Sequence, residues 1–128
     1  MTDRTVTVVT TDHGPITIPE PPWCTGTYHP DGGARAEISH SGPVIDVLVG
    51  TERGPQRLAE LLLWQVPFPA PDEAHRDAVH VVVQLLDGHH YGYDAPALEA
   101  LAVDLTEAAA KVRRVARRLA AEVPGGNR

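Results

Sequence analysis

The sequence predicts an α+β fold in which antiparallel strands occupy most of the chain and one long helix ends it. Short β-branched stretches with period-two alternation, separated by turns rich in Pro and Gly, recur up to residue 93. A helical pattern then runs from residue 95 to residue 122. These observations predict two N-terminal β-hairpins, a short helix, a central strand and a long C-terminal helix packed on an antiparallel sheet.

Alternation and turn residues predict the two hairpins. Residues 5–10 alternate like a strand, residues 12–15 form a turn signal, and residues 16–18 make the return strand. The second hairpin is expected to pair residues 34–39 with residues 44–49 across the turn at 41–43. Residues 14–43 contain six Pro and five Gly, so most of this segment is expected to be an irregular loop.

The next elements are predicted to be a short amphipathic helix and the central strand. Pro55 and Pro67 suit the start and the stop of that helix. Its apolar face would carry Leu58, Leu61, Leu62 and Val66. Residues 78–85 are apolar on both faces, as in a strand covered above and below, and residues 89–93 form a brief further strand.

The C-terminal helix is predicted to begin after Asp94, a good N-cap, with Pro96 in its first turn. Apolar residues recur along it at spacings of three and four: Leu98, Leu101, Leu105, Ala108, Val112, Val115 and Leu119. Such a seam suits core packing, or a protein partner or homodimer contact through residues 95–122. Residues 1–123 are expected to form a single domain, and residues 124–128 a disordered tail.

Composition limits the classes of function. A single Cys excludes an intrachain disulfide and, with no secretory signal pattern at the start, predicts a cytoplasmic protein. No apolar run approaches the roughly 20 residues of a membrane span. Residues 1–110 hold five Arg against sixteen acidic residues, whereas residues 111–128 are basic. Nucleic-acid binding is therefore unlikely on sequence grounds, because the acidic body would repel phosphates.

The residues most suggestive of chemistry are Cys24, His29 and His40 in the irregular loop. Thiolate and imidazole are the ligands that Zn²⁺ prefers, so these three residues predict most of a tetrahedral zinc site. The hairpin turn makes His13 the favoured fourth ligand, and the alternatives are Asp12, Glu37 and Asp31. The sequence does not decide among them.

Two other interpretations of the same residues stay open. Cys24 could be a buried apolar residue beside Trp23, with His29 and His40 making ordinary hydrogen bonds. A Cys-His nucleophile pair has less support, because no helix is predicted after Cys24 to lower the pKa of its thiol. The sequence therefore predicts no catalytic residue.

Two stretches carry a resemblance to a known family: residues 12–24, which end in Pro-Pro-Trp-Cys, and residues 36–43, which contain Ser-His-Ser-Gly-Pro. With His29 between them, they resemble small actinobacterial proteins, common in streptomycetes, that are grouped as a domain of unknown function. The resemblance spans most of the chain. It implies that the Trp-Cys, His and Ser-His-x-Gly-Pro elements belong together, which favours the metal site, and it implies no activity.

The function predicted from these observations is a small, non-enzymatic, zinc-binding accessory or regulatory module. The alternative is a metal-free interaction module that dimerises or binds a partner through its long C-terminal helix. A thiol or zinc enzyme is a third possibility, which would need an open coordination position or a reactive Cys24.

Overall fold

The computed structural model describes residues 4–27, 29 and 31–123. It has the predicted α+β class, with an N-terminal hairpin, antiparallel sheets and a long C-terminal helix. The chain divides into two compact units, Met1–Asp94 and Ala95–Arg128. In the described part of the chain, the first unit contains the strands and the second contains the long helix.

The N-terminal hairpin consists of β1 (Thr5–Thr10) and β2 (Gly14–Pro19), as the alternation predicted. Their antiparallel register runs from Thr5 opposite Pro19 to Thr10 opposite Gly14. Gly14 has a φ of 64°, a backbone conformation that glycine adopts without steric cost. Gly14 therefore allows the tight turn between the two strands. The long loop begins at the residue after Pro19.

A five-stranded antiparallel sheet follows the loop. It comprises β3 (His40–Ser41), β4 (Ile45–Thr51), β5 (Gly54–Gln65), β6 (His80–Leu85) and β7 (His90–Tyr93). The long strand β5 pairs with β3 and β4 along one edge and with β6 along the other, and β7 pairs with β6. The sheet thereby places the end of the loop, at His40, beside the C-terminal end of β5.

Two predictions of local structure are wrong. The segment expected to be a short helix is strand β5, because backbone pairing on both of its edges outweighs the helix propensity of its Leu, Glu and Gln residues. The second hairpin is formed by β4 and β5, not by residues 34–39 with 44–49. Within residues 34–39 the chain forms a 3₁₀ turn at Arg35–Glu37.

A small apolar core lies against the N-terminal hairpin. Val8, Ile18 and Ile38 are buried at its centre, and Val6, Ile16 and Phe68 pack around them. The loop is tied to the same hairpin, since the Gly32 amide donates to the Val9 carbonyl and the Thr11 amide donates to the Gly33 carbonyl. Burial of Ile38 therefore fixes the chain two residues before His40.

The second unit is the helix α1 (Ala95–Glu122), which matches the predicted range. It continues the helical pattern without a break over 28 residues. The expected disordered tail, 124–128, lies outside the described residues. Among the residues that are described, no helix is long and apolar enough to cross a membrane.

Candidate metal centre

Four side chains of the first unit meet in one buried cluster: Glu20, Cys24, His29 and His40. One potential ligand atom from each lies within 4.8 Å of every other. Cys24 is 5% exposed and His40 is 2% exposed. The side chains of His29 and Glu20 are 5% and 9% exposed. Two imidazoles, a thiol and a carboxylate thus share a space that is largely closed to solvent.

The separations within the cluster match a tetrahedral zinc site. The distance from Cys24 Sγ to His29 Nε2 is 3.7 Å, and the distance from His29 Nε2 to His40 Nδ1 is 3.3 Å. Zinc bonds of roughly 2.0–2.1 Å to nitrogen and 2.3 Å to sulfur, at tetrahedral angles, give edges of about 3.4 Å and 3.6 Å. The three atoms therefore already stand at the separations that a common zinc ion imposes.

Three of these side chains, those of Glu20, Cys24 and His40, are placed by a specific local structure. Glu20 follows the last residue of β2, and its amide donates to the carbonyl of Arg4. The Cys24 amide closes a turn onto the Pro21 carbonyl. His40 is the first residue of β3 and pairs with Gln65. The turn at Cys24 is joined to β3, because the amide of the next residue donates to the Ser41 carbonyl over 2.8 Å.

The surroundings of Cys24 combine features of a neutral thiol and of a thiolate ligand. Burial raises the pKa of the Cys24 thiol, and the nearby Glu20 carboxylate raises it further. Backbone amides of Gly26 and Ser41 act in the opposite direction by hydrogen bonding to the sulfur, the Gly26 amide at 3.4 Å. The amides can stabilise a thiolate ligand, whereas burial and Glu20 favour the neutral thiol when no cation is bound.

One oxygen of the Glu20 carboxylate is paired with Arg4, and the other makes no hydrogen bond within the described residues. Its Oε2 lies 3.3 Å from Arg4 Nε, while Arg4 Nη2 donates to the Cys24 carbonyl over 2.8 Å. Oε1 lies 3.3 Å from His29 Nδ1, yet this buried oxygen has no hydrogen-bond partner among the described residues. A buried carboxylate oxygen without a donor is costly, and a cation in the cluster would satisfy it.

His40 is suited to bind a metal as a neutral imidazole. Burial lowers the pKa of His40, and the neighbouring His29 lowers it further. The rings of His29 and His40 stand edge to face, with their centroids 5.2 Å apart. Trp23 contacts His40 in a second edge-to-face arrangement, at 6.4 Å between centroids. The ring of His40 is therefore held in position by aromatic neighbours on more than one side.

The structure brings together three of the four residues that the sequence put forward as metal ligands. His13 lies outside the cluster, on the β1–β2 turn, with its Nδ1 3.1 Å from Asp12 Oδ1. Asp12 Oδ1 also accepts from the Arg35 amide, and this hydrogen bond lowers the pKa of Asp12. Asp31 Oδ1 accepts from the Val9 amide, and Glu37 is exposed. The side chains of Asp12 and Asp31 thus hold the loop onto the hairpin.

Glu20 is the residue that sequence reasoning missed. It stands between Pro19 and Pro21, in the segment predicted to be an irregular loop, and no ligand-spacing rule links it to Cys24. One signal was present, because a single carboxylate flanked by prolines has a rigid backbone on both sides. Its convergence with the other three residues depends on the β1–β2 hairpin and on Arg4, which are tertiary features.

Comparisons with known proteins give one finding. Residues 5–121 match the family model described as a domain of unknown function, DUF6907. No curated protein and no solved structure was found to match this chain. The matched range contains the whole of the buried cluster.

Proposed function

This chain belongs to the DUF6907 family, a domain of unknown function, and we propose that its buried cluster binds a zinc ion through Cys24, His29, His40 and Glu20. The protein would then be a small, non-enzymatic, metal-binding accessory or regulatory module, as the sequence predicted. The observation that carries the proposal is the pair of separations, 3.7 Å and 3.3 Å, among the sulfur and the two imidazole nitrogens.

Charge supports a divalent cation. A Cys24 thiolate and the Glu20 carboxylate carry two negative charges into a largely buried space, and a divalent ion would neutralise both. The ion would also give Glu20 Oε1 the partner that the described residues do not provide. Arg4 would keep its contact with Oε2 and hold the carboxylate in place from outside the cluster.

The donor set favours zinc over other common ions. Calcium and magnesium prefer oxygen ligands, whereas a thiolate and two imidazoles suit a borderline-soft ion. Four protein ligands would close the coordination sphere, as in structural zinc sites. A buried Cys24 with a raised pKa also fits a metal ligand better than a reactive nucleophile, which needs a lowered pKa and access to substrate.

The test is the zinc content of the purified, untagged protein, measured by elemental mass spectrometry on the wild type and on matched variants. We expect about one zinc per chain in the wild type. Cys24→Ser, His29→Gln and His40→Gln should lose it, and Glu20→Gln should bind it more weakly because three ligands remain.

His13→Ala is the matched control, since His13 was the fourth ligand that the sequence favoured and it lies at an exposed turn. It should retain zinc as the wild type does. Loss of zinc in His13→Ala together with full retention in Glu20→Gln would contradict the assignment of Glu20. A wild-type protein that contains no metal and does not bind added zinc would contradict the proposal as a whole.

A second candidate function rests on the helix α1. Apolar residues of its seam are exposed, among them Val112, Val115 and Leu119. This observation supports self-association or binding of a protein partner through residues 95–122. Light scattering should show a dimer that Val112→Glu converts to a monomer. A monomeric wild type at high micromolar concentration would exclude the homodimer.

The proposal also includes the cellular location, the origin of the family and the domain organisation. We infer a cytoplasmic location from the single reduced cysteine, because a reducing compartment preserves a thiolate ligand. We also infer an actinobacterial family in which the Trp-Cys, His and Ser-His-x-Gly-Pro elements form the metal site, as the resemblance implied. The single domain of residues 1–123 stays a prediction.

A further inference from the structure

A pocket of about 400 Å³ opens beside the metal cluster. Its volume lies within the range of small-molecule sites in proteins. Glu20 and His40 form part of its wall, so two residues of the cluster face it directly. The remaining wall is mostly apolar and is formed by Ile18, Pro19, Pro21, Pro67 and Phe68, with Gln65 as a further polar group.

The pocket approaches the cluster from one side only. Cys24 and His29 do not line it, whereas Glu20 and His40 do. Of these two, His40 is fixed by strand pairing with Gln65 and by the edge of Trp23. Glu20 is attached through a flexible side chain, so its carboxylate is the group that can move without displacing the backbone.

Glu20 also has neighbours that would hold its carboxylate away from a metal. Arg4 Nε lies 3.3 Å from Oε2, and His29 Nδ1 lies 3.3 Å from Oε1. When His29 binds a metal through Nε2, its Nδ1 carries the proton and can donate to a carboxylate. Release of Glu20 from the metal would therefore leave its ion pair with Arg4 intact and keep Oε1 beside the His29 ring.

We propose that this pocket binds a small monocarboxylate with an apolar body, which takes the Glu20 position on the metal. The proposal rests on the metal site proposed above. The apolar wall accommodates the body of the ligand, and its carboxylate binds the metal in place of Glu20. The position suits a carboxylate because the protein itself supplies one there.

The exchange is balanced in charge and bonds. One metal–oxygen bond, to Glu20, breaks, and one metal–oxygen bond, to the ligand carboxylate, forms. Both carboxylates stay ionised, and the Glu20 charge is then compensated by Arg4. Cys24, His29 and His40 remain bound throughout, so the metal is not released.

The experiment uses the whole 128-residue chain loaded with Co²⁺ in place of zinc, titrated with benzoate and followed by absorption spectroscopy. The thiolate-to-cobalt charge-transfer band reports binding through Cys24, and the d–d bands report the other ligands. Acetate is the matched control, because it has the same carboxylate without the apolar body. We expect benzoate to change the d–d bands in a saturable way with the charge-transfer band retained, and to bind roughly tenfold or more tightly than acetate.

Two variants sharpen the test. Glu20→Ala removes the internal competitor, so benzoate should bind it more tightly than it binds the wild type. Phe68→Leu alters the pocket wall but not the cluster, and benzoate should bind it roughly 2- to 10-fold more weakly. The wild-type titration stands by itself if either variant does not fold.

The outcomes separate this proposal from the metal site. Absence of the charge-transfer band in the cobalt-loaded wild type would refute the metal site, and this proposal with it. A normal band with d–d bands that benzoate leaves unchanged in both the wild type and Glu20→Ala would overturn this proposal alone. Equal affinities for benzoate and acetate, or loss of the charge-transfer band during the titration, would also overturn it.

Discussion

The loop that carries the metal cluster and the hairpin of β4 and β5 are ordered in different ways. The hairpin is held by a backbone ladder from Ile45 opposite Leu61 to Thr51 opposite Gly54, with one register shift between Val47 and Leu48, and β4 has no buried residue. The loop has little regular structure, yet Cys24 and residues 38–42 are buried. Its order depends on a few specific side chains, whereas the order of the hairpin depends on the backbone that all residues share.

This difference predicts in which of the two regions a single substitution should change stability most. Backbone pairing tolerates most changes of exposed side chains, because the hydrogen bonds do not involve them. A buried polar cluster does not tolerate change, since each member that loses its partner is left desolvated. We therefore expect a metal, and the groups that position it, to control the loop far more than the sheet.

Metal removal should produce the largest effect. If zinc is present at about 1,000 times its dissociation constant, it stabilises the folded state by about 4 kcal/mol, which a chelator would remove. Thermal unfolding with and without the chelator measures this change. Hydrogen exchange on the same samples should accelerate first in residues 20–41, and uniform acceleration over both regions would show that the metal does not order the loop in particular.

Substitution of Arg4 should produce the second largest effect. Arg4→Met removes the contact with Glu20 Oε2 and the donation to the Cys24 carbonyl while it keeps an apolar chain. Outer partners of this kind typically contribute about 10- to 100-fold in metal affinity. Competition with a coloured zinc indicator would measure the loss.

Arg57→Met is the matched control for that prediction in the hairpin. Arg57 pairs with Asp46 at 2.8 Å and with Glu60 at 3.0 Å, but both contacts lie on the surface. Surface pairs of this kind contribute about 0–1 kcal/mol, so zinc affinity should stay at the wild-type value. Equal losses of zinc affinity in the two variants would argue against a positioning role for Arg4.

Acidity should have the smallest of the three effects, on the metal-free protein. The folded pKa of His40 is lowered from 6.5, so below that pH the unfolded chain binds more protons and stability falls as the pH falls. The folded pKa of Cys24 is raised from 9.0, so stability is also lost as the pH rises above that value. Stability of the metal-free protein should be highest between these limits.

Urea unfolding of the metal-free protein across this pH range checks the prediction. His40→Gln should flatten the acidic side of the profile and leave the alkaline side, and Cys24→Ser should do the reverse. Profiles of the two variants that parallel the wild type on both sides would show that neither group is responsible.

Local sequence patterns predicted the secondary structure correctly where they were compatible with only one kind of element. The alternation of residues 5–10 with a Gly turn predicted the first hairpin, and the long apolar repeat predicted α1. The segment of β5 misled, because Leu, Ala, Glu and Gln favour a helix locally, whereas pairing with β4 on one edge and with β6 on the other makes it a strand. The helical pattern of the segment, considered by itself, contains no information about these pairing partners.

The sequence by itself determined the α+β class, the long helix, and three of the four residues in the cluster. It did so because β-branched alternation, helical periodicity and the pairing of a lone thiol with imidazoles are local or compositional signals. Only the tertiary structure decided that Glu20 joins them in place of His13. The physical reason is that the fourth position is defined by the end of β2, the Arg4 ion pair and burial against β3, which are contacts between segments far apart in the chain.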